Sequence, residues 1–92
     1  MKPLDEYGYI EFKSRILGVV KDKADWYFCQ TKDAYYADYR PRYPQKNAAD
    51  FTIVLDFSHA TTRLSVYAGT ALVPIINQYC SMEDLLHELR RM

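Results

Sequence analysis

No stretch of this chain stays apolar for the roughly 18 residues that a membrane helix needs, and glycine and proline are scarce, at 3 and 4 of 92 residues. The first absence excludes a helical membrane span. The second excludes a low-complexity linker or a repeat of the collagen type. Net charge is also missing, because 12 Lys+Arg balance 12 Asp+Glu. Binding duplex nucleic acid through bulk electrostatics requires a basic surface or a strong local patch, so the overall balance counts against that class. The three glycines are isolated and form no G-x-G-x-x-G or G-x₄-G-K phosphate loop. Cysteine is limited to Cys29 and Cys80. The first residues, MKPLDEYGYI, carry acids where a secretory signal needs an apolar core. Together these point to a cytoplasmic protein with two reduced, mostly buried and unbridged thiols.

What is present fits one domain over residues 1–92. The 49% hydrophobic and 26% charged content is that of an ordinary globular chain and argues against disorder. Tyrosine is the outlier, with 9 against 4 Phe and 1 Trp. Tyrosine is apolar along its ring and polar at its tip, so a surplus belongs to the edge of a core or to a recognition surface.

Residues 4–22 place Tyr9, Phe12, Ile16, Val19 and Val20 at helical spacing, flanked by Ile10 and Leu17. Pro3 suits a first turn, and Asp5 and Glu6 suit the positive end of a helix dipole. This predicts an N-terminal helix, weakened by Gly8 and Gly18; a strand over 8–20 is the competing reading. Residues 25–31 are aromatic and read as a strand. After a turn at Thr31–Asp33, residues 34–40 alternate, with Tyr35, Ala37 and Tyr39 on one face and Tyr36, Asp38 and Arg40 on the solvent face.

Pro41 and Pro44 mark residues 41–50 as a loop. Residues 51–57 and 62–68 alternate again and predict an antiparallel hairpin, with Phe51, Ile53, Leu55, Phe57, Leu64, Val66 and Ala68 inward. Residues 71–77 read as a covered strand, but Pro74 cannot donate to a ladder and belongs at an edge, a bulge or the first turn of a helix. Residues 81–91 carry Ser81 and Asp84 as a capping box, Cys80 and Leu85 as a staple around it, and Met82, Leu85, Leu86 and Leu89 as one apolar stripe. The order α–β–β–β–β–β–α predicts a small single-domain α+β fold. Its antiparallel sheet has about four to five strands, covered by an N-terminal and a C-terminal helix.

Metal and catalytic patterns are weak. Cys29, His59, Cys80 and His87 lack the close pairs that metal ligands usually form, so no metal and no cofactor is expected. Cys80 lies just before a helix N-terminus, where a dipole favours a thiolate. A cysteine nucleophile would still need His59, oriented by Asp56, within reach. The acid pairs Asp5/Glu6 and Glu83/Asp84 are explained by helix dipoles.

The strongest constellation is YADYRPRYPQK. Tyr36, Tyr39, Arg40, Arg42, Tyr43 and Lys46 interleave aromatics with cations against one acid, Asp38. Tyrosine and arginine dominate the hot spots of protein interfaces. The same pattern also stacks on and neutralises single-stranded nucleic acid. A third reading is a loop whose tyrosines pack on the sheet. The sequence therefore points to a non-catalytic binding or inhibitory module, of a size frequent in mobile elements such as phage, that contacts another protein through these six residues. A single-strand nucleic-acid binder using the same patch is the alternative. For assembly, monomer and twofold homodimer stand level.

Overall fold

The computed structural model describes residues 2–20, 24–41, 51–68 and 75–91. Its first element is a single 3₁₀ turn, Leu4–Glu6, followed by α1, Tyr9–Leu17. The expected helix over 4–22 is thus two shorter pieces, and the glycines are the reason. Gly8 is the N-cap of α1, in extended backbone, and its carbonyl accepts from Phe12 N at 3.0 Å. Gly18 is the C-cap, its N–H returning to Ser14 O. Residues that weaken a helix interior delimit one at no such cost.

Five strands follow: β1 (Ala24–Gln30), β2 (Ala34–Pro41), β3 (Phe51–Asp56), β4 (Arg63–Ala68) and β5 (Ile75–Tyr79). All neighbouring pairs are antiparallel, and the spatial order is the chain order, a simple meander. Of the strand expected over 71–77, β5 holds Ile75 onward; residues 71–74, with Pro74, lie outside the described residues. Side chains make the turns. Thr31 Oγ1 accepts from the backbone N–H groups of Asp33 and Ala34, both at 3.1 Å, and closes β1 onto β2. Asp56 Oδ1 accepts from Ser58 N at 2.8 Å and Ser58 Oγ at 2.6 Å at the start of the β3–β4 link. These two bonds hold the Asp56 carboxyl below its usual range, reinforced by His59 and Arg63.

The chain closes with α2, Met82–Arg90, whose N-cap Ser81 accepts from Asp84 N at 3.2 Å as the capping box requires. Met82, Leu85, Leu86 and Leu89 are all buried. Cys80 is exposed, so it is not the covered half of a staple with Leu85.

Both helices lie on one face of the sheet. Phe12 and Ile16 of α1, Val20 just beyond it and the α2 stripe share one core with Ala37, Ile53, Leu55, Leu64 and Val66. Arg15 of α1 and Glu83 of α2 approach to 3.8 Å across the helix pair. Of the expected core, Ile53, Leu55, Leu64, Val66, Leu85 and Leu89 are buried, and Phe51 is half-buried at the rim. Aromatic rings extend the cover towards β1. Phe12 meets Phe28 edge-on at 6.3 Å and Tyr35 at 5.8 Å, while Tyr39 stacks on Phe51 at 4.5 Å and meets Trp26 at 5.1 Å. The protein is a two-layer α+β domain. Among the described residues no helix is long and apolar enough to cross a membrane.

Candidate functional site: the open face of the sheet

A strand shows alternate side chains to opposite faces. With Trp26, Phe28, Tyr35, Ala37, Tyr39, Ile53 and Leu55 turned to the helices, the intervening residues must turn away. Register then sets them in rows. Tyr27, Asp38, Thr52 and Tyr67 form one row across β1 to β4; Cys29, Tyr36, Val54, Ser65 and Gln78 form the next across all five strands. No described helix crosses this face. Val54 and Ser65 are nonetheless buried, small side chains with Tyr36 beside them in the row and Tyr67 two residues further along β4.

At the β1–β2 end the face is ordered by its own contacts. Thr52 Oγ1 donates to Asp38 Oδ1 at 2.9 Å, and Arg40 Nη2 lies 3.9 Å from the other carboxylate oxygen. The Arg40 guanidinium sits 4.8 Å from the centre of the Tyr27 ring, a cation–π arrangement. Tyr27 is half exposed, at 51%. An arginine and a tyrosine are thus held by contacts within the chain on a face that no described helix covers.

The six residues singled out in the sequence separate. Tyr36 and Arg40 lie on the open face, half-buried and exposed respectively. Tyr39 points the other way and is 9% exposed in the aromatic cluster, so it supports the sheet from the helix side. Arg42, Tyr43 and Lys46 lie outside the described residues. Tyr27 was not singled out. The run Trp26–Tyr27–Phe28 shows no polar alternation, and only cross-strand register places Tyr27 beside Arg40.

Charge on the open face is mixed. Asp25, Asp38 and Asp56 alternate with Arg40 and Arg63, and Asp25 stands directly opposite Arg40 in the β1–β2 register. The basic character that the sequence suggested around Arg40 is offset there by acids from its own and the neighbouring strand.

The cysteines are unbridged, as expected, but exposed where burial was expected. Both are free and exposed, Cys29 on the first strand of the sheet and Cys80 just beyond the last, so the width of the sheet separates them. Cys80 lines an open pocket of about 320 Å³ with Leu4, Asp5 and Ala60–Thr62. His59 is not among the lining residues and pairs instead with Asp56, Nε2 to Oδ2 at 3.6 Å. Among the described residues no group of three His, Cys, Asp or Glu is arranged to hold a metal. No family model, curated protein or solved structure matches the chain.

Proposed function

We propose that this chain is a small binding or inhibitory module, non-catalytic and cytoplasmic, that occupies the surface of a partner protein with the open face of its sheet. The observation that carries the reading is the pre-ordered Tyr27–Arg40–Asp38–Thr52 group on a face that no described helix covers. Arginine and tyrosine are favoured interface anchors, and fixing them beforehand lowers the entropy lost on binding. The alternation of Asp25, Asp38 and Asp56 with Arg40 and Arg63 suits a protein surface of mixed charge better than a phosphate backbone. Self-association into a homodimer belongs to the same proposal.

The test compares wild type with the double variant Tyr36→Ala, Arg40→Ala, each immobilised and exposed to lysate of the source cells at low and high salt. The variant should retain at least about tenfold less of the captured protein, the equivalent of 1.4 kcal/mol, while circular dichroism shows it still folded at the assay temperature. Equal capture by both proteins would refute the reading. Tight binding of labelled oligothymidine by wild type, falling steeply with salt, would establish the nucleic-acid alternative instead.

A further inference from the structure

We infer that the outer edge of β1 is a homodimer seam, at which two copies pair antiparallel about a twofold axis through Tyr27 and continue one sheet across both molecules. This rests on the self-association reading above and gives it a surface and a register.

The two edges of the sheet are unlike. The ladder of β5 with β4 has a register shift between Val66 and Tyr67. An irregularity of this kind protects an edge from pairing. β1 is seven residues long and pairs with β2 without interruption. Its sequence, ADWYFCQ, has three consecutive aromatics and one charge, Asp25. No described strand pairs with its outer side. A long, regular, aromatic edge is the kind that recruits another strand.

The strand is self-complementary. An antiparallel pair centred on Tyr27 sets Ala24 opposite the second copy's Gln30, Asp25 opposite its Cys29, and Trp26 opposite its Phe28. Every β1 residue is then paired. Residues of like parity meet, so both helix layers fall on the same side and the two open faces join. Trp26 and Phe28, already stacked at 6.0 Å within one chain and each half-buried, would face the second copy's Phe28 and Trp26 and form a four-ring cluster. Tyr27 would meet Tyr27 on the open face. The one charge of the strand faces a neutral side chain; sliding the register until Asp25 faced Asp25 would put like charges together and leave more than half the strand unpaired. The seam would also double the open face, so a twofold partner could be held at two points.

The test uses cysteine cross-linking in the full chain with Cys29→Ser and Cys80→Ser. Directly opposed residues on antiparallel strands have Cα atoms about 4.5–5.5 Å apart, within disulfide range. Tyr27→Cys should therefore give a covalent dimer on mild oxidation. Gln78→Cys on β5 should not, nor should a chain keeping Cys29 alone, since Cys29 lies far from its own copy in this register. Light scattering should show a wild-type dimer at micromolar concentration and a monomer for Tyr27→Glu. That variant keeps an attractive neighbour for Arg40 within the chain, but opposes two carboxylates across the seam. Circular dichroism confirms that it is folded. A monomeric wild type, a dimer undiminished in Tyr27→Glu, or cross-linking through position 78 or Cys29 would each overturn the proposal. A monomeric wild type would overturn self-association itself, whereas the other outcomes overturn this seam alone; capture through Tyr36 and Arg40 is tested in a chain that keeps Tyr27.

Discussion

Removing the hydroxyl of Tyr7 should stabilise the protein. Tyr7 joins the 3₁₀ turn to α1 and is 3% exposed within the core. Its Oη is buried and has no hydrogen-bond partner, and the same is true of Oε2 of Glu83. Burial, then the charge of Glu83, pushes the Tyr7 phenol up from its ordinary value, against the opposing effect of Arg15. A buried donor without a partner costs about 1–3 kcal/mol against its hydrated state. Tyr7→Phe removes that cost and leaves a gap the size of one oxygen, worth only a few tenths at about 24 cal/mol per Å³. The ring and its contact with Lys2 Nζ, 5.1 Å from the centroid, are kept.

The net gain is about 1 kcal/mol or more, which raises the thermal midpoint by roughly 4–8 °C in a domain of this size. Calorimetry and urea denaturation at neutral pH measure it. The pH dependence has a definite sign as well. A phenol whose folded pKa lies above its unfolded value, about 10, contributes stability that is present below that value and lost as pH rises through the folded one. Tyr7→Phe should abolish that part of the alkaline loss. A variant less stable than wild type by more than about 1 kcal/mol would refute the reasoning, because the hydroxyl would then be making a bond worth that much.

Leu55 is fully buried between the helices and β4, so Leu55→Ala should cost about 2–5 kcal/mol in urea denaturation; a loss near zero would mean that its face is not the core face. Ser81→Ala removes the cap on Asp84 N and should cost about 1 kcal/mol, read from the same midpoint. Asp56 is held below the ordinary carboxylate range, first by its bonds from Ser58. Its stabilisation is therefore present above about pH 3.9 and lost as pH falls through the folded value. Asp56→Asn should show a shallower loss of stability between pH 5 and pH 2 than wild type, and an unchanged slope would count against this assignment.

The parts of the fold that were legible in the sequence rest on short-range patterns. Ser81 and Asp84 ahead of a four-residue apolar stripe specify a helix start within a few positions, and α2 begins where they place it. Phe51 to Phe57 and Leu64 to Ala68 alternate cleanly, so the hairpin and its inner face follow from parity alone. The N-terminal helix was legible in kind but not in extent. Spacing alone sets Gly8 and Gly18 inside the helix as weak points, whereas each marks an end. The site was half legible. Parity on β2 turns Arg40 and Tyr36 outward, and the same parity turns Tyr39 inward, where counting aromatics along the segment had grouped it with them. Tyr27 and Cys29 were illegible for one shared reason. In Asp25–Gln30 each face carries two apolar or aromatic residues and one polar one, so hydropathy does not choose between them, and only the packing of Trp26 and Phe28 under the helices does.

The tyrosine surplus divides along the same line, and the division bears on function. Tyr7, Tyr9, Tyr35, Tyr39 and Tyr79 belong to the helix side. There the need is physical: α1 meets Phe28 and Tyr35 through Phe12 and Tyr9, and the Trp26, Tyr39 and Phe51 rings exclude water further along the same strands. Tyr27, Tyr36 and Tyr67 lie on the other face, where no described helix requires a ring. A sheet face that meets only solvent is served by threonine or by charged residues, and large rings kept there raise the risk of unwanted association. Arg40 is held over Tyr27 by Asp38 in the free chain, so the group is shaped before any encounter. Stability gains little from this, since exposed ion pairs contribute about 0–1 kcal/mol. The larger return is in association, where a fixed arginine and an amphipathic ring reduce the entropy that a partner must otherwise offset. The open face is therefore the part of this molecule whose composition its own folding does not explain.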